Sequence, residues 1–364
     1  MKPILTLAAS IGLLVASATP AQTSSAVPPV QTPQPIPIDV YEGPHPKHLE
    51  VPSCDEHLGI GFRQSEACHA LLAGYEGWTQ LNFMVDHDGK PYEITMTHSS
   101  GRKEFDALSV KVLEAATFVP ASLNGAPIES GTSMKVKFQL RGGAPGAKRE
   151  FVVDYMATAR AIESGDRAKA DADMKKLEQG TTNLYEDAYY GMALYFYAKK
   201  WGDQQQQLDG LERAIAEEDQ ARYLPRDRFK AALQLSMQLQ LSLQQYAEAL
   251  DTYKKMQKAG IAPDTATRLE PVLEQVEKLR TDDTPYTIGG RMRADGSWHL
   301  HLFKRHFRVE VDDGYVAQVK LRCQKKYLVF ALDPKLQYDI NGKDGDCWME
   351  LDGSPSASFK LTQF

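Results

Sequence analysis

The chain has 364 residues, of which 42% are hydrophobic and 25% are charged, and its formal net charge is −6. This length predicts two or three domains with ordinary apolar cores. The acidic balance shows no sign of the basic stripe typical of nucleic-acid binding, so we expect no nucleic-acid partner.

Residues 1–21 have the layout of a secretory signal peptide. Lys2 precedes an uncharged apolar run at residues 4–18, and small residues that suit cleavage follow this run. The alternative is an uncleaved membrane anchor, although the run is shorter than the roughly 20 apolar residues that span a bilayer. We therefore expect an exported periplasmic protein, with an inner-membrane protein facing the periplasm as the alternative.

A proline-rich segment follows at residues 22–52. Proline prevents helix formation and favours the extended polyproline II conformation. We expect this segment to be a linker between the signal peptide and the first domain.

The four cysteines fall into two local pairs. In an exported chain an even number of cysteines predicts disulfides, here Cys54–Cys68 and Cys323–Cys347. The alternative for the first pair is a metal site, because His57 and His69 lie beside it. That spacing does not match a structural zinc motif, so the disulfide is the favoured interpretation.

Residues 53–141 predict a helix, two strands, a second helix and a third strand, which is an α+β domain. The segments TQLNFMVD and YEITMTH alternate apolar and polar residues around a His87-Asp88-Gly89 turn. The second helix has an apolar stripe from Phe105 to Ala115, with Ser100 or Gly101 at its N-cap and Pro120 after its end. The segment SMKVKFQL closes the domain as a strand.

Several short motifs of this domain form one pattern. They are Gly74, Glu76-Gly77, Val85-Asp86, Asp88-Gly89, Ser99-Ser100-Gly101, Phe105-Asp106, Phe118-x-Pro120-Ala121, Asn124-Gly125-x-Pro127 and Val136-x-Phe138. Together they make residues 60–140 closely similar to the C-terminal domain of the TonB family. The resemblance implies a periplasmic adaptor without enzymatic activity or cofactor. Adaptors of this kind bind outer-membrane transporters by strand addition and transmit inner-membrane energy to the uptake of siderophores and cobalamin.

Strand addition requires a sheet edge whose N–H and C=O groups can pair with an extended peptide. The candidate edge is the last strand of the domain, residues 132–140. The predicted partner-binding residues are Thr132, Ser133, Lys135, Lys137 and Gln139. Edge lysines also protect sheets from aggregation, so peptide capture and simple edge protection both stay open.

The sequence departs from the family in two respects. Ser65-Glu66-Ala67-Cys68 stands where the family usually has Tyr-Pro shortly before its first strand. A cleavable signal and a short linker replace the retained anchor that meets an inner-membrane motor complex. That motor complex is therefore an expected partner only if the N-terminal segment is retained.

Residues 149–281 predict six or seven helices joined by short turns, as in an α-solenoid. The segment YAEALDTYKKM at 246–256 resembles the second helix of a tetratricopeptide repeat, although no strict repeat length is visible. Five tyrosines and Phe196 lie between Tyr185 and Tyr197. At helical spacing they indicate core residues, and a ligand groove is the alternative.

Residues 284–364 predict seven short strands, which form a small β-sandwich or barrel. His299 and His301 share a strand face, and His306 could lie across a hairpin from them. Three imidazoles can bind a metal, but we interpret them as a polar strand face and expect no metal site.

Three functional hypotheses follow. The first is a TonB-family periplasmic protein that docks on outer-membrane transporters and takes part in energy-dependent transport. The second is a periplasmic scaffold that binds other periplasmic proteins through its tetratricopeptide-like helices. The third is an envelope enzyme whose site the sequence does not reveal.

Overall fold

The computed structural model describes residues 40–49, 65–140, 146–216 and 222–364. The predicted signal peptide, the linker up to Asp39, Cys54 and His57 lie outside these residues. Within the described residues, no helix is both long and apolar enough to cross a membrane.

The first region has the predicted order of helix, two strands, helix and strand, with five short strands added. In chain order the elements are β1 (Tyr41–Glu42), β2 (His45–His48), α1 (Glu66–Leu72), β3 (Gly77–Val85), β4 (Pro91–Ser99), α2 (Lys103–Ala115), β5 (Thr117–Val119), β6 (Ala121–Leu123), β7 (Ala126–Ile128) and β8 (Ser130–Phe138). The main sheet is antiparallel and has the order β4-β3-β8. The α+β prediction is confirmed.

The short strands explain why part of the predicted linker is ordered. Strand β1 pairs with β6, and strand β2 pairs with β5. Proline lacks a backbone N–H, but in an edge strand the N–H groups on the outer side have no strand to pair with. Pro46 is therefore tolerated within β2. The end of the linker is therefore attached to the first domain.

Helix α2 begins later than predicted. Its N-cap is Arg102 rather than Ser100 or Gly101. The Ser100 hydroxyl accepts a hydrogen bond from the Trp78 N–H at 3.1 Å, so it is engaged with β3 and does not cap the helix. Helix α1 does have a side-chain cap, because the Ser65 hydroxyl accepts from the Cys68 N–H at 3.2 Å.

Both helices cover one face of the β4-β3-β8 sheet. Leu81 and Phe83 of β3 are fully buried there, and Phe105 of α2 stacks on Phe138 of β8 with ring centroids 4.7 Å apart. These contacts form the core of the domain.

The middle region is helical, as predicted. Its seven helices among the described residues are α3 (Arg149–Ser164), α4 (Arg167–Gly180), α5 (Leu184–Trp201), α6 (Gln204–Ala214), α7 (Arg226–Ser242), α8 (Tyr246–Lys258) and α9 (Pro263–Thr281). Local sequence sets several of these boundaries. Asn183 caps α5, and Asp203 forms a capping box with Gln206 at the start of α6.

The C-terminal region consists of two four-stranded antiparallel sheets. Its strands are β9 (Tyr286–Arg291), β10 (Ser297–His301), β11 (His306–Asp313), β12 (Val316–Cys323), β13 (Tyr327–Ala331), β14 (Tyr338–Asp339), β15 (Cys347–Gly353) and β16 (Ser358–Gln363). One sheet has the order β10-β15-β12-β13 and the other β14-β11-β16-β9. The two-residue strand β14 is the one that the sequence analysis missed.

The three regions share one compact unit, Val40–Phe364. Ala247 of α8 and Val276 of α9 lie in the same apolar cluster as the core of the C-terminal sheets. The end of the helical region therefore packs directly on the β region.

Candidate functional site

Strand β8 lies at one edge of the β4-β3-β8 sheet. It pairs along its whole length with β3, with Lys137 opposite Trp78 and Lys135 opposite Gln80. The strand ends at Phe138, so Gln139, a predicted binding residue, follows the strand rather than lying within it.

The predicted binding residues divide between the two faces of the sheet. Thr132 is opposite Phe83 and shares the helix-covered face, where it is half-buried. Ser133, Lys135 and Lys137 alternate with it and lie on the other face, on which Ser133 is exposed.

The second face is covered by the helical region, which the sequence analysis did not foresee. The Lys137 Nζ lies 5.3 Å from the ring centroid of Tyr223, and the Gln139 amide donates to the Tyr223 hydroxyl at 3.1 Å. The Lys135 Nζ lies 5.3 Å from the ring centroid of Trp78. Lys135 and Lys137 therefore contact aromatic rings of the chain itself.

The start of β8 contacts the β region. A Cβ atom on Gly131 would lie 3.0 Å from the carbonyl oxygen of Cys323, closer than real Cβ contacts normally come. Glycine at this position lets β8 approach the end of β12. The segment from Thr132 to Val136 lies between this contact and the Tyr223 contact.

The opposite edge, β4, accepts hydrogen bonds from arginines of the β region. Arg293 donates to the Thr97 carbonyl at 2.8 Å. Arg322 donates to the Thr95 hydroxyl at 2.8 Å and to the Glu93 carbonyl at 3.2 Å. Backbone carbonyls of β4 are thus already engaged, which makes β8 the better candidate for strand addition.

A cleft of ionisable side chains lies where the three regions meet. The His98 Nε2 of β4 is 3.7 Å from the Glu212 Oε2 of α6, and the ring centroids of His98 and His299 are 5.9 Å apart. The exposed fractions of the His98 and Glu212 side chains are 42% and 28%, so water reaches the cleft. These residues are distant in sequence, and no local motif could have predicted that they meet.

Burial changes the protonation behaviour of this cleft. It raises the pKa of the Glu212 carboxyl to about 7, and the neighbouring carboxylate of Asp209 adds to this effect. Desolvation of the His98 ring and the nearby guanidinium of Arg293 both lower the pKa of His98, an effect that the 42% exposure of the side chain weakens. Both shifts favour the uncharged forms of the two groups.

The three histidines of the C-terminal region do not come together. His299 and His301 lie on β10, which pairs with β15, whereas His306 begins β11 in the other sheet and lies 3.2 Å from Asp339. The prediction that His306 could lie across a hairpin from His299 and His301 is therefore wrong. In the part of the chain that the structure describes, no cluster of three or more His, Cys, Asp or Glu side chains could hold a metal.

The Cys323–Cys347 disulfide is present and joins opposite residues of β12 and β15, with Cα atoms 4.0 Å apart. Cys68 is buried and is not a free thiol. Its predicted partner, Cys54, lies outside the described residues, so the Cys54–Cys68 pairing stays a prediction.

Comparison with known proteins identifies the first region. Residues 69–140 match the family described as Gram-negative bacterial TonB protein C-terminal. The match extends from within α1 to just beyond β8, and it confirms the resemblance seen in the sequence. No curated protein matches the chain significantly. The chain thus carries a TonB C-terminal domain, which indicates a part in energy-coupled transport at the cell envelope. The tetratricopeptide resemblance has no such match.

Proposed function

We propose that this protein docks on outer-membrane transporters in the periplasm and captures an extended transporter segment as a fourth strand beside β8. The observation that carries the proposal is the sheet order β4-β3-β8, which leaves β8 at the edge of the matched domain. The matched family consists of energy transducers rather than enzymes, so the proposed role is mechanical coupling or recruitment and involves no catalysis.

Strand addition depends mainly on the backbone of β8. A peptide beside this edge would form the same kind of N–H to C=O ladder that β3 forms on the other side. The contacts at Gly131 and Tyr223 limit the accessible part to about five residues, or roughly 17 Å of strand. We therefore expect recognition of a short linear segment.

The proposed location follows from the predicted signal peptide. A cleaved protein would act in the periplasm without direct contact with an inner-membrane motor. A retained N-terminal segment would make the inner-membrane motor complex a second partner. The mature N-terminus, determined by mass spectrometry of the envelope fraction, distinguishes these two forms.

The first test replaces a residue of β8 and measures binding of a synthetic transporter-derived peptide by calorimetry. Lys135 lies within the accessible segment, and its N–H points away from β3, because the backbone groups of Trp78, opposite Lys137, face β4. Lys135→Pro therefore removes a docking hydrogen bond. We expect loss of peptide binding with an unchanged circular dichroism spectrum. The matched control is Lys135→Ala, which removes the same side chain but keeps the backbone N–H and should weaken peptide binding only slightly.

A scaffold function is the second candidate, and a specific observation favours it. The Trp78 indole N–H donates to Asp187 at 2.9 Å, and Arg213 binds the same carboxylate at 2.6 Å, so the TonB domain is fixed to the helical region. If the wild-type protein binds no transporter peptide, this attachment is the principal role of the domain, and partner binding belongs to the helices.

A further inference from the structure

A groove between helices α3 and α5 combines apolar walls with a basic end. It encloses about 510 Å³ and is lined by Tyr155, Ala159, Ile162, Glu163, Ala193, Phe196, Lys199 and Lys200. This volume is within the range of protein ligand sites, whose walls are mostly apolar with a few polar groups. The groove lies in the helical region and shares no lining residue with the β8 edge.

The apolar wall continues along α3 beyond the cavity. Val152 and Met156 are exposed to 47% and 49% respectively, and Phe196 of α5 is exposed to 45%. Val152, Met156 and Ala159 recur at spacings of four and three residues, which places them on one side of the helix with Tyr155 and Glu163. The resulting strip runs about 15 Å along α3.

Two lysines lie at one end of this strip. Lys199 and Lys200 of α5 lie at the end of the strip that contains Glu163. The Lys200 ammonium donates a hydrogen bond to the Glu163 carbonyl at 3.2 Å. The groove lining thus contains two cations and one carboxylate, that of Glu163.

We propose that the α3–α5 groove binds an amphipathic helix of a partner protein whose polar flank is acidic. A helix laid along the groove would pack an apolar stripe against Met156, Ala159 and Phe196, as ridges pack into grooves between helices. Its acidic side chains would pair with Lys199 and Lys200.

The length of the strip favours a peptide over a small ligand. A fatty acid would be covered within the cavity and would leave Val152 and Met156 exposed. A helix of three turns covers about 16 Å and matches the whole strip. The excess of cations over anions selects an acidic helix over a basic one.

The test uses three labelled peptides of about 18 residues and the full mature chain, with binding measured by fluorescence anisotropy. The first has a leucine stripe at i, i+3, i+4 and i+7 with glutamate at the flanking positions. The second has lysine in place of glutamate, and the third keeps the first composition in scrambled order. We expect the first peptide to bind about tenfold more tightly than either of the others.

Two variants and a matched control locate the site. Phe196→Ala removes an exposed apolar wall of the groove, and Lys199→Glu reverses the charge of one of the two lysines. Each variant should bind the acidic peptide about fivefold more weakly, or worse. Lys199→Glu should also improve binding of the lysine peptide. Lys175→Glu makes the same charge change on α4, outside the groove lining, and should leave all three affinities unchanged.

Three results would overturn the proposal. One is equal affinity for the three peptides. Another is binding of a fluorescent fatty acid that Phe196→Ala abolishes, without peptide binding. The third is a dimer in sedimentation that Phe196→Ala dissociates, because a second copy would then cover the groove. None of these results bears on transporter-peptide binding at β8, so the two proposals fail independently.

Discussion

The two faces of the β4-β3-β8 sheet are covered by different kinds of contact. On one face, aromatic and aliphatic side chains such as Phe83, Phe105 and Phe138 pack against the two helices of the domain. On the other face, Trp78 packs in a smaller apolar cluster with Leu184 and Tyr223 of the helical region. Polar contacts accompany this cluster: Asp187 binds the Trp78 indole, and arginines of the β region bind the backbone of β4. The first face, the apolar face, holds the TonB domain together. The second face, which we call the polar face because the directional contacts lie there, attaches the domain to the rest of the chain through both apolar packing and hydrogen bonds.

This difference has a consequence for docking. Apolar packing is not directional, whereas the polar attachments depend on a few charged side chains with defined partners. Changes on the apolar face should therefore unfold the domain, and changes on the polar face should loosen its attachment. The β8 edge lies between the two faces, and its accessibility depends on the second.

The largest loss of folding stability is expected for a substitution on the apolar face. Phe105→Ala removes a fully buried ring that stacks on Phe138, and should lower the free energy of unfolding by about 3–5 kcal/mol. Urea denaturation followed by circular dichroism measures this loss. Phe196→Ala, at a ring that is 45% exposed, is the matched control and should cost well under half as much. Equal losses would contradict the assignment of the core.

A smaller loss of folding stability is expected for a substitution on the polar face. Asp187→Ala removes the acceptor of the Trp78 indole and the partner of Arg213, and should cost about 2 kcal/mol. Limited proteolysis should show earlier cleavage between the TonB domain and the helices, with the domain itself intact. Asp312→Ala breaks an exposed pair with Lys360 at 3.2 Å and should change neither readout.

The third prediction concerns pH. The native pKa of Glu212 is about 7, compared with about 4.5 for an ordinary glutamate, so the folded protein retains this proton over a pH range in which the unfolded chain has released it. The stability that this group contributes is present below pH 4.5 and is lost as the pH rises to 7. His98, with its lowered pKa, has the opposite effect at acidic pH.

Glu212→Gln isolates the glutamate contribution. The stability of the variant relative to wild type should increase by roughly 1–2 kcal/mol between pH 5 and pH 8, as shown by urea denaturation at each pH. This is less than the roughly 2.5 kcal/mol that the two pKa values give, because the Glu212 side chain is 28% exposed and water screens the effect. Glu114→Gln, at an exposed residue of α2, provides the comparison and should show no such change. A difference between wild type and Glu212→Gln that does not vary with pH would mean that Glu212 ionises normally.

The smallest loss of stability is expected at the start of helix α1. Ser65→Ala removes the N-cap of α1 and should cost about 1 kcal/mol, measured as a lower Tm in thermal denaturation. Ser133→Ala on β8 removes an exposed hydroxyl and should leave the Tm unchanged. A Tm that is insensitive to Ser65→Ala would show that α1 is held by packing alone.

The sequence was sufficient for features that local patterns encode. Alternation identified β3, β4 and β8, helical spacing identified α2, and strand signals identified seven of the eight strands in the C-terminal region. These features depend on periods of two and 3.6 residues, which are visible within a single segment.

Contacts between regions could not be predicted in this way. Tyr223 covers Lys137, Cys323 meets Gly131, and Glu212 meets His98, although each pair is far apart in the sequence. A polar residue has the same local pattern whether it faces water or another region of the chain. The predicted solvent face of β8 is for this reason partly an internal contact.

The central claim is that the outer backbone edge of β8 pairs with an extended peptide. The most direct measurement is the affinity of the full chain for a series of transporter-derived peptides, each with one N-methylated amide. Because successive N–H groups of a strand point to opposite sides, the account predicts that methylation at every second position abolishes binding and that the intervening positions tolerate it. An affinity that falls equally at every position, or that does not change at any position, would contradict strand addition.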